Sequence, residues 1–102
     1  MPRDDVLDTA KKCVSSDREA QYGDPASNFA LVADLWTAYR GRPGETYTPL
    51  DVAMMLALLK VGRIRTGATK DDNFVDLCGY SAIAGEIAGL MAGSAGGKRL
   101  AP

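Results

Sequence analysis

Acidic and aromatic side chains recur at four-residue spacing in the second half of the chain. Asp72, Asp76 and Tyr80 share one face of a predicted helix, because residues four apart lie one turn above each other. Asp76 stands between Val75 and Leu77, and a carboxylate buried in such an apolar stretch must be paired, hydrogen-bonded or metal-bound. Asp72 and Asp76 are also placed to share Mg²⁺, a hard cation that prefers oxygen ligands. The spacing gives a candidate magnesium site.

Two cationic residues precede this acidic face. Lys60 and Arg63 are three residues apart near the end of the preceding predicted helix, and only a short loop, residues 67–71, follows. A short loop favours antiparallel neighbouring helices, which would bring both cations close to Asp72 and Asp76. Two interpretations stay open. The cluster is either a structural ion-pair network or a ligand site in which Lys and Arg hold phosphates.

A third candidate group lies earlier in the chain, at Arg18 and Tyr22. The functional interpretation is an arginine for phosphate and a tyrosine for stacking or hydrogen bonding. The structural interpretation is an arginine at a helix end and a tyrosine that packs the turn between helices. Each residue taken alone favours the structural interpretation slightly.

Four predicted helices must position these groups in one domain over residues 1–92. Their end signals include Asp24 before Pro25, and Thr48-Pro49 with Asp51 as a capping-box partner. The third helix is apolar on nearly all sides from Leu50 to Leu59, which predicts a place at the centre of an all-α four-helix bundle. The ranges predicted are 4–20, 25 or 27–40, 49–66 and 71 or 72–91, followed by a disordered tail over 93–102.

Composition excludes several function classes. The 102 residues include no histidine, which removes the usual Ser-His-Asp and Cys-His arrangements and any His-ligated zinc site. A net charge of −1 gives no general case for nucleic-acid binding. The longest uninterrupted apolar run, 52–59, is too short to span a membrane. Cys13 and Cys78 have no metal or redox spacing, so we expect small core side chains and a cytoplasmic protein.

The chain resembles a family of small phage and prophage proteins of unknown function, over about Arg18 to Glu86. The motif that opens this region is Asp17-Arg18-Glu19-Ala20-Gln21-Tyr22-Gly23, and the last is Asp72-Asn73-Phe74-Val75-Asp76-Leu77-Cys78-Gly79-Tyr80. Between them lie Asn28-Phe29, Leu35-Trp36, Ala38-Tyr39, Thr48-Pro49-Leu50-Asp51-Val52-Ala53 and Leu59-Lys60-Val61-Gly62-Arg63.

The closing helix is also distantly similar to phage domains linked to nucleotide modification and to MazG-type all-α nucleoside triphosphate pyrophosphohydrolases. That resemblance implies a MazG-like four-helix fold, magnesium, cleavage between the α and β phosphates, and homo-oligomers. One departure is plain: the several glutamates of their first acidic motif have no counterpart here, where the third helix offers only Asp51 and the second only Asp34.

The leading hypothesis is a nucleotide-binding domain, and if it is an enzyme, a Mg²⁺-dependent pyrophosphohydrolase in the host cytoplasm. Its partner would be a nucleotide or another phosphorylated small molecule, with no membrane and no nucleic acid. One alternative is a protein that sequesters a nucleotide, such as a host defence signal, without catalysis; another is a structural or interaction module. The metal ligands expected are Asp72 and Asp76, and the ligand-binding residues expected are Arg18, Tyr22, Lys60, Arg63, Asn73 and Tyr80.

Overall fold

The computed structural model describes residues 1–15 and 23–94. The described part is all-helical with four helices and no strand, which confirms the predicted fold class. The expected tail beyond Ser94 and the predicted site residues Arg18 and Tyr22 lie outside the described residues. The helices are α1 (Arg3–Cys13), α2 (Pro25–Arg40), α3 (Pro49–Arg65) and α4 (Asp71–Ser94).

Helix ends agree with the sequence where a capping side chain marks them. Asp24 caps α2 by accepting from the Ser27 amide at 3.2 Å. At the start of α3, the Asp51 amide donates to Thr48 Oγ1 at 3.1 Å and the Thr48 amide donates to Asp51 Oδ2 at 2.9 Å. This reciprocal pair satisfies two amides that a helix start leaves without partners. Both predicted starts are confirmed.

Two predicted ends are wrong. α1 ends at Cys13 rather than near Ala20, and Ser15 Oγ donates to the Lys12 carbonyl at 2.9 Å. A serine that bonds a nearby carbonyl offers the backbone an alternative to helix continuation. α4 continues through Ser94, three residues beyond the expected end at Met91 and past the expected start of the tail at Gly93.

The four helices form an open arrangement. α3 packs most extensively on α4, α2 packs mainly on α3, and α1 packs on α4. The helices of the described residues therefore cover one side of α3: Val52, Ala53 and Ala57 are buried, whereas Met54 and Leu58 are exposed. The expectation that α3 lies at the centre of the bundle is wrong for the single chain, because α1 does not cover its other side.

α4 is long and apolar enough to cross a membrane by length and composition, with a mean hydropathy of 1.3 over an 18-residue window within Asp71–Gly93. The criterion of an uninterrupted apolar run does not identify this window, because Asp76 and Glu86 lie within it. A core helix of a soluble protein has the same property, and α4 carries the buried Val75 and Ile87. The window alone is thus weak evidence for a membrane segment.

Candidate functional site

An ion pair joins α3 to α4 at the place that the sequence indicates. Lys60 Nζ lies 2.8 Å from Asp76 Oδ2. The Lys60 side chain is 12% exposed and that of Asp76 is 39% exposed, so the cation is shielded while the carboxylate still faces solvent. The predicted approach of these two residues is confirmed.

The connection between α3 and α4 sets the position of this pair. Gly67 adopts a φ of 105°, a left-handed conformation that favours glycine and turns the chain after α3. The side chain of the buried Asn73 donates from Nδ2 to the Ala68 carbonyl at 2.6 Å, and its backbone amide donates to the Lys70 carbonyl at 3.1 Å. The side-chain amide of Asn73 therefore anchors the loop to α4, and a ligand contact for this residue stays a prediction.

A cleft of about 200 Å³ lies beside Asp76, between the end of α1 and the middle of α4. Cys13 and Val14 form one wall, and Asp76 and Tyr80 contribute to the other. Gly79 is buried between the walls, and a Cβ there would meet Val14 Cγ1 at 3.4 Å. A side chain no larger than alanine would therefore make an ordinary van der Waals contact with α1 at this position. Cys13 is exposed rather than in the core, which corrects the expectation for that residue.

Tyr80 gives the cleft an aromatic surface. Its ring centroid lies 6.5 Å from that of Phe29 in α2, with the ring planes tilted by 44°. This is within the usual range of distances for favourable aromatic pairs. Tyr80 is half-buried, so the pair holds one ring in place while part of that ring still faces the cleft.

The remaining predicted site residues are not drawn into the cluster. Asp72 and Arg63 are exposed, and neither forms an ion pair with another residue of the described ranges 1–15 and 23–94. Within those same ranges, no three His, Cys, Asp or Glu side chains are grouped so as to hold a metal ion. A magnesium ion on Asp72 and Asp76 alone stays a prediction.

A second polar cluster, at the end of α2, is absent from the sequence-based candidates. The Arg40 guanidinium forms a salt bridge with Glu45 and donates from Nη1 to Tyr47 Oη at 3.1 Å. The Tyr47 amide donates to Thr37 Oγ1 at 2.9 Å, and its ring packs edge-on against Trp36 at 5.8 Å. The hydrogen bond and charge of Glu45 raise the pKa of Arg40. The signal for this cluster is the close sequence spacing of Arg40, Glu45 and Tyr47.

A larger groove, of about 530 Å³, runs between α1 and the start of α4. Its lining includes Val6, Leu7, Phe74 and Leu77, and is mostly apolar. Of the predicted site residues within the described ranges, none lines this groove. The small cleft at Asp76 is therefore where the predicted chemistry and the observed geometry meet.

The fold and site define a small all-helical domain with an ion pair beside a narrow, partly apolar cleft. The chain belongs to the family described as a domain of unknown function, DUF6378, whose model matches residues 5–88. The predicted membership in a family of unknown function is confirmed.

Two relatives connect this family to bacteriophages. The chain is 37% identical over 78 residues to the Gene 55 protein of Mycobacterium phage L5, covering 76% of this chain and 49% of that protein. It is 29% identical over 76 residues to the Gene 55 protein of Mycobacterium phage D29, covering 74% and 48%. The chain spans about half the length of these curated relatives. No solved structure matches the chain.

Proposed function

We propose that this domain binds a phosphorylated small molecule, with a nucleotide as the leading candidate, at the cleft between α1 and α4. The observation that carries the proposal is the uneven exposure of the ion pair, 12% for Lys60 and 39% for Asp76. Lys60 fixes one carboxylate oxygen of Asp76 at 2.8 Å, and the carboxylate remains accessible from the cleft. Asp76 is thus a preplaced acceptor at the edge of a partly apolar cavity, which is typical of ligand sites.

The cleft size limits what enters it. Its volume of about 200 Å³ is below the roughly 300–1,000 Å³ of most small-molecule sites, so it accommodates one ring system rather than a whole nucleotide. In the proposed mode, the base packs on Tyr80 and a ring amine or ribose hydroxyl donates to Asp76. The phosphates extend outside the cleft. Arg63 and Arg18 remain the cationic ligands expected from the sequence, although Arg63 does not line the cleft and Arg18 lies outside the described residues.

The distant resemblance to MazG-type enzymes would add hydrolysis to binding. The carboxylates of the described residues do not assemble the larger acidic set of such enzymes, and Asp76 already bonds to Lys60, which competes with a metal for that oxygen. Because these residues do not fit a catalytic magnesium centre, we derive no hydrolytic step. Binding without turnover, as in sequestration of a nucleotide, is the version of the proposal that the donor set supports.

The test is a thermal-unfolding and calorimetric titration with nucleoside mono-, di- and triphosphates and cyclic nucleotides, with and without Mg²⁺. Each mixture is also analysed for product. A ligand at a hundred times its Kd stabilises the folded state by about 2.7 kcal/mol. Stabilisation with the ligand left intact supports sequestration, and Mg²⁺-dependent product formation supports the pyrophosphohydrolase.

Variants connect any binding to the cleft. Asp76→Asn and Tyr80→Leu should each weaken binding at least tenfold, since one removes the charged acceptor and the other the stacking surface. Asp34→Asn, at an exposed position on α2, is the matched control and should bind normally. If no nucleotide binds, or if both cleft variants bind as the parent does, the ion pair is structural only and the proposal is wrong.

The proposed place of action is the cytoplasm of a phage host, and the similarity to two mycobacteriophage proteins supports this proposal. Fractionation of host cells that express the chain checks this proposal. Recovery in the membrane fraction would contradict it, and would indicate that the apolar window of α4 is a membrane segment.

A further inference from the structure

The outer face of α3 carries a large apolar surface. We define this face by the residues that point away from the rest of the chain: Asp51, Met54, Met55, Leu58, Val61, Gly62 and Arg65. At about 100° per residue, these positions fall within roughly 80° of one direction along the helix. Leu58 is 63% exposed and Met54 is 47% exposed, whereas Val52 and Ala53 on the opposite side are fully buried. Contiguous exposed apolar surface of this kind marks an interaction site.

The residues of the outer face are placed at equal distances before and after Leu58. An acidic residue, Asp51, stands seven positions before Leu58, and a basic residue, Arg65, stands seven positions after it. Met54 stands four positions before Leu58, and Gly62 four positions after it. Two of the three mirrored pairs are therefore complementary, Asp51 with Arg65 in charge and Met54 with Gly62 in size, and the third pair, Met55 and Val61, is apolar on both sides.

We propose that a second copy of this chain covers this surface, with the two α3 helices antiparallel and a two-fold axis at Leu58. In that arrangement Leu58 packs on Leu58 of the partner subunit. Met54 lies over Gly62 of the partner subunit, where a Cβ would find open space within its own chain. Such a self-complementary patch is what a two-fold dimer requires.

Charge complementarity selects the second copy as the occupant. The antiparallel arrangement places Asp51 beside Arg65 of the partner subunit at both ends of the interface. Asp51 uses Oδ2 to cap α3, and neither Asp51 nor Arg65 forms an ion pair within the described part of the chain. A parallel arrangement would oppose like charges, which is unfavourable. The dipoles of antiparallel helices also oppose each other favourably.

The dimer is independent of the proposed ligand site. Lys60 points to the covered side of α3, where it bonds to Asp76 of α4, and none of the outer-face residues lines the cleft. Loss of nucleotide binding would not remove the dimer, and a monomeric chain would not by itself contradict the ligand proposal.

The first test is the mass of the protein by sedimentation equilibrium over a range of concentrations. We expect twice the chain mass of 10.8 kDa for the parent protein. Leu58→Lys should weaken dimerisation by about a hundredfold or more, because two like charges then meet at the axis. Leu31→Lys on α2, at a position 60% exposed, is the matched control and should remain dimeric.

The second test fixes the register, in a background with Cys13→Ser and Cys78→Ser. Leu58→Cys should form a covalent dimer on oxidation, because residues at a two-fold axis approach within the ~7 Å between Cα atoms that a disulfide needs. Met54→Cys should not, because the two copies of residue 54 lie about 12 Å apart along the antiparallel helices. A monomeric parent protein, a dimer that survives Leu58→Lys, or equal crosslinking of both cysteine variants would overturn the proposal.

Discussion

The molecule contains two polar clusters, and they differ in what they connect. Lys60–Asp76 joins two helices across their interface and shields its cation, whereas Arg40–Glu45 joins the end of α2 to the loop that follows, with side chains 40% and 44% exposed. The first cluster consists of one ion pair between two side chains. In the second, the loop is also held by hydrogen bonds of Tyr47 and by its packing on Trp36. Shielding, rather than the presence of opposite charges, decides how much an ion pair contributes.

The largest effect should come from breaking the shielded pair. Asp76→Ala should lower the free energy of unfolding by about 2 kcal/mol, because it leaves the shielded ammonium of Lys60 without a partner. Lys60→Met should cost about 1 kcal/mol or less, because it keeps the apolar stem and leaves a carboxylate that water can reach. Urea denaturation measures both, with Asp72→Ala as an exposed control. Equal costs for the two substitutions would show that the difference in shielding is unimportant.

An intermediate effect should come from the neutral hydrogen bond in the other cluster. Thr37→Val should lower the free energy of unfolding by about 1 kcal/mol, because it leaves the Tyr47 amide without its acceptor. Thr66→Val is the matched control, since Thr66 Oγ1 bonds only to carbonyls of the preceding turn and is exposed. The control should change stability by a few tenths of a kcal/mol. If the two substitutions lower the free energy of unfolding equally, the loop is not held through Thr37.

The smallest effect should come from the exposed ion pair. Glu45→Gln should lower the free energy of unfolding slightly at low salt, less than either substitution above, and by nothing measurable in concentrated salt, because exposed charges are screened. The raised pKa of Arg40 means that the folded state favours the protonated guanidinium. That contribution is present throughout the neutral range and is lost only when the pH rises through the raised pKa. If the loss of unfolding free energy does not depend on salt, the Arg40–Glu45 pair is shielded in the same way as Lys60–Asp76.

Local signals in the sequence were sufficient for much of the fold. Asp24 and Thr48 identify helix starts because capping depends on neighbours within three residues. The approach of Lys60 to Asp76 could be predicted because the loop between α3 and α4 is short. The end of α1 could not, because Ser15 competes with the helix through a single weak bond that no pattern marks.

Features that depend on contacts between residues far apart in the chain could not be predicted from the sequence. An apolar pattern around all of α3 predicts that both sides are buried, but it does not show whether the same chain covers both. The buried amide of Asn73 was assigned to a ligand because its bond to Ala68 depends on the path of the loop. Tyr47 was not recognised because its significance comes from Thr37 and Trp36, ten or more positions earlier in the chain.

The five-residue connection between Arg65 and Asp71 has a consequence for the order in which the molecule folds. α3 and α4 share the largest helix interface and are adjacent in the chain, so closing that interface costs little loop entropy. α1 packs on α4 across most of the sequence, and its docking is expected to come last. Since the end of α1 forms one wall of the cleft at Asp76, the cavity exists only when folding is complete, and slow amide exchange in α1 would report its assembly.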